Sequence, residues 1–300
     1  MADRFRGTGV AIVTPFHDSG NIDFGSFEKI IEHVVTHGVN YIVALGTTGE
    51  SATLSKDEKV AVLDFVIEIV NKRVPVVAGI GGNNTQEVIS AIKSASFDGI
   101  DAILSVCPYY NRPQQKGMYG HFKAIAGICP VPVILYNVPG RTGSNLTAET
   151  TLKLANDFEN IIGIKEASGN FAQCMDILKN KPQDFLFISG DDALTYPLLS
   201  LGADGVISVV ANAFPQQFSE MVNLGLKGKF NKAKVLHYQM LEFMNTLFLD
   251  GSPSGIKAAL EDMGLCKSNV RLPLVKVNKT VHSLIAEQVE FVQNNSKSVE

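Results

Sequence analysis

Lys165 has the side chain with the most distinctive chemical setting in this sequence. It lies in the run 161–166, IIGIKE, which is apolar up to the lysine itself. Burial disfavours the charged form of an amine, and a neutral amine can attack a ketone or aldehyde to form a Schiff base. The run is equally compatible with a lysine just past a strand end, its head group in water or paired with a carboxylate. Other chemistry-bearing residues must distinguish the two interpretations.

A glycine-flanked threonine pair, Thr47 and Thr48, forms the second candidate feature. The surrounding segment 46–50 reads GTTGE. Glycines allow a tight turn that exposes backbone N–H groups and hydroxyls, which together can hold a small carboxylate. A plain turn with no ligand is the alternative interpretation of the same five residues.

Tyr136 and Arg141 lie close together in the segment YNVPGRTG at 136–143. The phenol of Tyr136 could transfer protons during imine formation, although buried tyrosines more often pack with a single hydrogen bond. Arg141 could form a two-point contact with a carboxylate, or it could be an ordinary surface arginine. Its position directly after the strand that ends near Tyr136 favours the first interpretation.

Metal chemistry has little support in the sequence. The six histidines are dispersed, and only His33 and His37 have the spacing of two ligands on a helix. Those two fall on the first predicted helix, away from the expected site. Asp191 and Asp192 could bind a cation in principle. A helix N-cap or a solvated loop is the preferred interpretation of these two residues.

The elements that position these residues recur along the chain as eight short apolar runs, each followed by a helical pattern. The runs are near-continuously apolar rather than alternating, as is typical of parallel strands covered on both faces. They occupy residues 9–15, 41–46, 75–80, 101–106, 133–137, 161–166, 185–190 and 205–209. The pattern predicts an α/β fold, a (β/α)8 TIM barrel. A doubly wound sheet is the alternative, but the first strand lacks a GxGxxG motif.

A barrel of this kind carries its site at the carboxyl ends of the strands, where Thr47, Tyr136 and Lys165 all fall. The sequence predicts a barrel over residues 1–212, through the eighth strand. Residues 213–300 are predicted to be a C-terminal helical extension, including the last barrel helix. Within it we predict one or two helices over 214–249, broken near Gly225 and Gly228, and further helices over 256–263 and 279–292.

Bulk properties exclude several classes of protein. The 300 residues carry a net charge of −4 and no basic tail, which argues against a nucleic-acid partner. No apolar stretch is long enough to span a membrane, and the amino terminus lacks a signal-peptide pattern. The four scattered cysteines are typical of a reducing compartment. We therefore expect a cytoplasmic protein.

The motifs together resemble the dihydrodipicolinate synthase family, in the superfamily of pyruvate-dependent class I aldolases that includes N-acetylneuraminate lyase. The resemblance covers nearly the whole chain, from residue 7 to about residue 273. It rests on GTTGE at 46–50, PYYNRP at 108–113, YNVPGRTG at 136–143, GIKEASG at 163–169 and SGDD at 189–192.

The resemblance implies a role for each matching position. Lys165 is similar to the lysine that forms a Schiff base with pyruvate. The proton-relay trio corresponds to Tyr136, Thr47 and Tyr110, with Tyr110 contributed across a tight dimer interface, commonly within a homotetramer. Thr48 resembles the residue that holds the pyruvate carboxylate. Three further positions line the pocket: Arg141 for the carboxylate of aspartate semialdehyde, and the backbone carbonyls of Gly190 and Ile207.

The implied reaction is the condensation of pyruvate with L-aspartate 4-semialdehyde to 4-hydroxy-tetrahydrodipicolinate, on the route to diaminopimelate and lysine. No metal or organic cofactor is implied, because the lysine imine is itself the electron sink. The alternative is a sibling lyase for a sugar acid such as N-acetylneuraminate. Such lyases tend to carry an apolar residue at the position of Arg141, so this arginine favours the synthase. Retention of the whole residue set argues against a non-catalytic barrel.

The resemblance also implies a possible inhibitory site for lysine at the dimer interface. The matching residues are Ser51, Ala52, Leu54, Lys56, Lys59, Asn83, Glu87 and Tyr109. Lys56 and Lys59 occupy positions where inhibited relatives carry histidines. Two added ammonium groups would repel a cationic ligand if they point inward, or they could extend into solvent. We predict weak or altered inhibition by lysine.

Overall fold

Eight parallel strands form a closed barrel in the computed structural model, which describes residues 2–295. Each strand pairs with its neighbour in sequence, and β1 pairs with β8 to close the barrel. The strands are β1 (Gly7–Ala11), β2 (Tyr41–Ala44), β3 (Val76–Gly79), β4 (Ala102–Val106), β5 (Val133–Asn137), β6 (Ile161–Glu166), β7 (Leu186–Ser189) and β8 (Gly205–Ser208). The predicted (β/α)8 fold is confirmed.

Seven predicted strands agree with the structure to within two residues at each end, but the first prediction was wrong. Residues 12–15 are not part of β1. The N–H of Val13 donates to the side chain of Asn212 (3.2 Å), and Pro15 has no N–H to donate. An apolar run therefore continues past the point where ladder hydrogen bonding stops.

Helices connect the strands and cover the outside of the barrel. Their starts follow local chemistry: the Ser55 side chain accepts from the N–H of Glu58 in a capping box, and Thr147 caps the helix that precedes β6. The helices before β8 are α1 (Phe24–Thr36), α2 (Lys56–Val70), α3 (Thr85–Ser94), α4 (Gln115–Ala126), α5 (Pro139–Thr142), α6 (Ala148–Asp157), α7 (Phe171–Asn180) and α8 (Asp192–Ser200).

Four α-helices follow β8 within residues 2–295. They are α9 (Pro215–Leu226), α10 (Phe230–Thr246), α11 (Ser254–Asp262) and α12 (Lys279–Asn295). The predicted break near Gly225 and Gly228 separates α9 from α10. Helix α9 packs on β1 and β8, while α10, α11 and α12 pack together. Residues 296–300 of the predicted extension lie outside the described part of the chain.

The apolar core has two layers. An outer layer fills the space between strands and helices, and an inner layer fills the barrel itself. At the amino-terminal end of the strands, the rings of Phe5 and Tyr41 meet edge to face at 5.6 Å. Apolar side chains therefore fill the amino-terminal end of the barrel, and the polar groups lie at its carboxyl end. Within residues 2–295, no helix is long and apolar enough to cross a membrane.

Candidate active site

An irregularity in β6 determines which way Lys165 points. Val133 pairs with Ile161, but the next residue of β5, Ile134, pairs with Gly163, so Ile162 is an extra residue. Such a bulge shifts the alternation of side chains between the two faces of a strand. Lys165 consequently lies in register with Tyr136, whose side chain belongs to the inner layer. Lys165 therefore faces the barrel interior, and its neighbour Glu166 faces the helices.

The Lys165 amine is buried without a charged partner. Its side chain is buried, and Nζ lies 4.3 Å from the centre of the Tyr136 ring. In the described part of the chain no carboxylate pairs with Lys165, and no hydrogen-bond acceptor contacts Nζ. Of the interpretations that the sequence left open, the ion-paired lysine and the solvated lysine both disagree with this geometry.

Glu166 does not supply the missing charge, because other groups hold its carboxylate on the outer face. Its oxygens accept from the N–H of Ser168 (2.6 Å) and from the side-chain amides of Asn137 and Gln173 (3.0 Å each). Burial, followed by the charge of Glu166, raises the pKa of the Cys174 thiol to about 12. The carboxylate thus belongs to a polar network behind the strand.

Gly190, directly after β7, lies beside the lysine, and Ile207 lies on β8. A Cβ on Gly190 would approach Cε of Lys165 to 3.1 Å and Cβ of Ala167 to 2.6 Å. Only glycine leaves room for the lysine at this distance. Ile207 lies in the inner layer on β8. Both residues are where the sequence predicted them, at the carboxyl end of the barrel.

The threonine pair lies in the turn after β2. The N–H of Gly49 donates to the carbonyl of Gly46 (3.1 Å), and the N–H of Glu50 donates to the carbonyl of Thr47 (3.1 Å). Thr48 is buried and Thr47 is exposed. No hydrogen bond within the described residues joins the Thr47 hydroxyl to a tyrosine. The structure places the pair on the active face without assembling a closed relay.

Tyr110 projects away from its own chain. Its side chain is 89% exposed, and its φ of +70° is unusual for an aromatic residue. The Tyr110 N–H donates to the carbonyl of Thr142 (3.3 Å), which ties the loop after β4 to the loop after β5. Among the described residues, no hydrogen bond or ring contact joins the Tyr110 side chain to Lys165 or Tyr136. Such strain is typical of functional positions.

Arg141 lies on the short helix α5 and is exposed on the active face. Its neighbourhood is fixed by a second arginine, which the sequence analysis did not single out. Arg112 donates through Nε to the carbonyl of Gly143 (2.8 Å) and itself has a φ of +47°. The motif PYYNRP contained Arg112, but nothing in its spacing indicated a contact with α5.

The residues of the predicted lysine-binding site fall into two groups. Ser51, Ala52 and Leu54 lie in or next to a short 3₁₀ turn that leads into α2, which carries Lys56 and Lys59. Asn83 precedes α3 and donates through Nδ2 to the carbonyl of Tyr109 (3.2 Å). Lys56 is exposed, and Lys59 is half-buried. The structure joins Asn83 to Tyr109 and leaves the two lysines outside that contact.

The two histidines with ligand spacing are used locally. His33 and His37 lie with ring centres 5.0 Å apart, His33 Nε2 contacts the Ala213 carbonyl (3.1 Å), and burial lowers the pKa of His33. Among residues 2–295, no group of three or more histidine, cysteine, aspartate or glutamate side chains could hold a metal ion.

One pair of charged residues near the site escaped the sequence analysis. Glu50, the last residue of GTTGE, forms an ion pair with Lys257 of α11, and both side chains are fully buried. The signal was present in the sequence, since Lys257 lies in the apolar run IKAAL at 256–260. It is the same kind of signal that singled out Lys165.

A closed eight-stranded barrel with a buried, unpaired lysine at the end of its sixth strand has the architecture of a Schiff-base-forming, class I aldolase. Comparison with known proteins makes this class specific. The chain belongs to the dihydrodipicolinate synthetase family, whose model matches residues 4–291.

Individual relatives agree with the family assignment. The chain is 49% identical to the 4-hydroxy-tetrahydrodipicolinate synthase of Parabacteroides distasonis over 96% of its own length and 97% of the relative. The pyruvate-complexed dihydrodipicolinate synthase of Acinetobacter baumannii is 41% identical, with a TM-score of 0.93 over 96% of this chain and 99% of that one. The lysine-bound enzyme of Cyanidioschyzon merolae is 39% identical, with a TM-score of 0.93 over 97% and 99%. The predicted family and synthase function are confirmed over the sugar-acid alternative.

Proposed function

We propose that this chain condenses pyruvate with L-aspartate 4-semialdehyde through a Schiff base on Lys165. The observation that carries the proposal is the environment of that amine. It lies buried at the carboxyl end of a barrel strand, against the ring of Tyr136, with no carboxylate partner in the described chain. A primary amine at this place, with no competing partner, can attack a ketone carbon held beside it.

The first half of the reaction activates pyruvate. Neutral Lys165 attacks the ketone carbon, and loss of water from the resulting carbinolamine gives an imine. Thr48 holds the pyruvate carboxylate, and its place in the turn after β2, at the carboxyl end of the barrel, supports this role. The carbonyls of Gly190 and Ile207 line the pocket beside the lysine. The protonated imine then withdraws electrons, and the methyl group loses a proton to give an enamine.

The second half forms the new carbon–carbon bond. The enamine carbon attacks the aldehyde of aspartate semialdehyde, whose carboxylate Arg141 holds at the rim. The amino group of that substrate then attacks the imine carbon. Ring closure breaks the bond to Lys165 and releases 4-hydroxy-tetrahydrodipicolinate with the amine regenerated. Every step uses groups of the protein and its two substrates.

Proton transfer in this scheme requires a second chain. Tyr136 and Thr47 act from one subunit, and Tyr110 acts from its partner across a tight dimer, within a homotetramer built as a dimer of dimers. The exposure of Tyr110 supports the proposal, because its ring buries little surface against its own chain although the backbone is held in a strained conformation. The cross-subunit relay explains why the Tyr110 side chain leaves its own chain.

Further proposals concern regulation and context. We propose that residues 1–212 form the barrel and that residues 213–300 pack on it as an extension. The lysine-bound relative supports a ligand site around Asn83 and Tyr109, with Lys56 and Lys59 weakening the affinity for lysine. Four free cysteines support a cytoplasmic location.

The decisive experiment measures pyruvate consumption by the purified protein, with and without aspartate semialdehyde. Lys165→Ala removes the nucleophile, and Lys165→Met removes it while filling the same space. We expect consumption that requires both substrates and Lys165, and an adduct of pyruvate on Lys165 after borohydride reduction.

The two readouts separate the parts of the proposal. An adduct on Lys165 without consumption in the presence of the semialdehyde would contradict the second substrate and leave the Schiff base intact. Unchanged consumption by Lys165→Met would contradict the mechanism altogether. A pyruvate adduct on another lysine would show that this other lysine, and not Lys165, is the nucleophile.

A further inference from the structure

The loop that carries the threonine pair is tied to the C-terminal extension by a buried ion pair. Lys257 and Glu50 lie 207 residues apart, and neither side chain is exposed. Nζ of Lys257 also donates to the carbonyl of Asn269 (2.8 Å) and lies 4.2 Å from the centre of the Phe16 ring. Burial lowers the pKa of Lys257, and the Glu50 carboxylate opposes that effect.

Glu50 transmits this contact to the active-site turn. Its second carboxylate oxygen accepts from the N–H of Arg271 (3.0 Å), so both oxygens are held by the extension. Its own N–H donates to the carbonyl of Thr47 (3.1 Å), and its φ of +53° is left-handed. The side chain of Glu50 is thus fixed at one end, and the backbone next to Thr47 and Thr48 is fixed at the other.

The same segment also holds two neighbouring loops. The Arg271 guanidinium donates to the carbonyl of Gly20 (2.9 Å), in the loop after β1, and to the carbonyl of Thr53 (3.0 Å), after β2. It also pairs with Glu58 at the start of α2. The extension therefore lies across the active face and connects the ends of the first two strands.

Stability alone does not account for charges at this place. Removing two charges from water costs several kcal/mol, and apolar residues of similar volume are often as stabilising as a buried ion pair. A charged, hydrogen-bonded pair fixes direction and distance more narrowly than an apolar contact. Compared with an apolar contact, such a pair therefore adds fixed geometry rather than stability.

We propose that Lys257 and Glu50 are positioning residues that hold Thr47 and Thr48 in place for the carboxylate of a 2-oxo acid. The inference rests on the function proposed above and adds to it a determinant outside the barrel. Neither residue touches the reacting atoms, because the contacts of both are satisfied by the loop and the extension.

The test compares Lys257→Met with the double variant Glu50→Gln/Lys257→Met. The single variant leaves a buried carboxylate unpaired and is expected to melt at a lower temperature. The double variant removes both charges and is expected to recover most of the melting temperature. Lys267→Met is the matched control, because Lys267 belongs to the same segment but pairs with Asp18 in solvent.

The measured quantity is the pyruvate concentration that gives half-maximal borohydride trapping on Lys165, together with KM and kcat. In the double variant we expect this concentration and the pyruvate KM to rise at least about tenfold, with kcat at saturating pyruvate within about threefold of native. The Lys267→Met control is expected to retain native values.

A double variant with the native pyruvate requirement would overturn the inference. So would a loss of kcat and melting temperature with an unchanged requirement, since that pattern describes a purely structural pair. If the native protein traps pyruvate but does not condense it with the semialdehyde, only the proposed second substrate is contradicted. The trapping assay then still tests the positioning role of Lys257 and Glu50. A native protein that traps no pyruvate overturns both proposals.

Discussion

Two lysines are buried in the described part of the chain, and their surroundings differ in kind. Nζ of Lys257 is paired with a carboxylate and a backbone carbonyl, whereas Nζ of Lys165 meets only the face of the Tyr136 ring. The Glu50 carboxylate and the Asn269 carbonyl satisfy the Lys257 ammonium, whereas Lys165 has no such partner in the described chain. Burial alone therefore does not distinguish the proposed nucleophile from Lys257, whereas the absence of a charged partner does.

At the residue scale, the close approach of Gly190 to Lys165 gives a sharp prediction. In Gly190→Ala the new methyl group would lie 2.6 Å from Cβ of Ala167 and 3.1 Å from Cε of Lys165, so the segment around the lysine must shift. We expect the rate of pyruvate trapping on Lys165 to fall at least about tenfold, because small displacements at a reacting atom are costly.

Gly120→Ala is the control for Gly190→Ala. Gly120 lies in α4 with no atom within 4 Å of its added Cβ, so the change should leave trapping at the native rate. Native trapping by Gly190→Ala would contradict the claim that the glycine makes room for the lysine.

At the element scale, the start of α8 combines two aspartates with different tasks. Asp191 caps the helix by accepting from the N–H groups of Ala193 and Leu194. Asp192 is buried behind the site and accepts from the N–H groups of Val209 and Val210, after β8. Burial raises the pKa of Asp192 from 3.8 to about 6. The helix start thus fixes the loop after β7 against the end of β8.

The raised pKa of Asp192 predicts a pH dependence of stability. Between pH 3.8 and about 6 the folded state binds more protons than the unfolded state, so this group's contribution to stability falls as pH rises. Each pKa unit corresponds to about 1.4 kcal/mol. We expect Asp192→Asn to remove this decline.

Urea midpoints at several pH values across that window provide the measurement for Asp192→Asn. Asp184→Asn, at an exposed carboxylate, is the control and should keep the native pH profile. If the urea midpoint changes with pH equally in the native protein and in Asp192→Asn between pH 4 and 6, the decline in stability does not come from Asp192.

At the scale of the whole molecule, the proposed relay cannot be completed by one chain. Tyr110 and Tyr109 are 89% and 42% exposed, next to the contact between Asn83 and Tyr109. A two-fold dimer presents the same patch from both subunits, so each tyrosine can enter the partner's site. In the proposed scheme, the barrel supplies the nucleophile, and the partner subunit supplies the third proton-transfer group.

Subunit complementation tests the cross-chain relay. Tyr110→Phe and Lys165→Met are each expected to have low activity. In mixed dimers of the two variants, one site contains native Lys165 together with the native Tyr110 of the partner. Random pairing should restore about a quarter of native activity. No recovery in mixed dimers whose formation is verified would show that Tyr110 acts within its own chain.

The proposed lysine site, at the expected dimer interface, also belongs to this scale. Lys56 and Lys59 add positive charge near the proposed site, so a lysine titration of the native protein should show weak inhibition. Lys56→His/Lys59→His is expected to lower the half-inhibitory concentration several-fold. Tight, cooperative inhibition of the native protein would contradict this prediction, and Lys93→His, on the exposed face of α3, serves as the charge control.

Much of the fold and of the site could be predicted because local patterns encode them. Continuous apolar runs specify buried parallel strands, and the residues that end those runs must meet at one rim of a barrel. This reasoning predicted that Lys165, Tyr136 and Thr48 lie at the carboxyl ends of the strands, where the structure has them. It failed at residues 12–15, where apolar character continues although the Asn212 side chain has replaced the ladder.

The sequence by itself determined the order of strands and helices, the identity of the strand-end residues and the family, because each depends on neighbouring residues. Only the tertiary structure decided that the bulge at Ile162 turns Lys165 inward, that no carboxylate reaches its amine, and that Lys257 holds Glu50. These features depend on strand register and on chain closure across 207 residues. Local hydrophobic periodicity does not encode strand register or contacts between distant segments, because both arise only when the barrel closes.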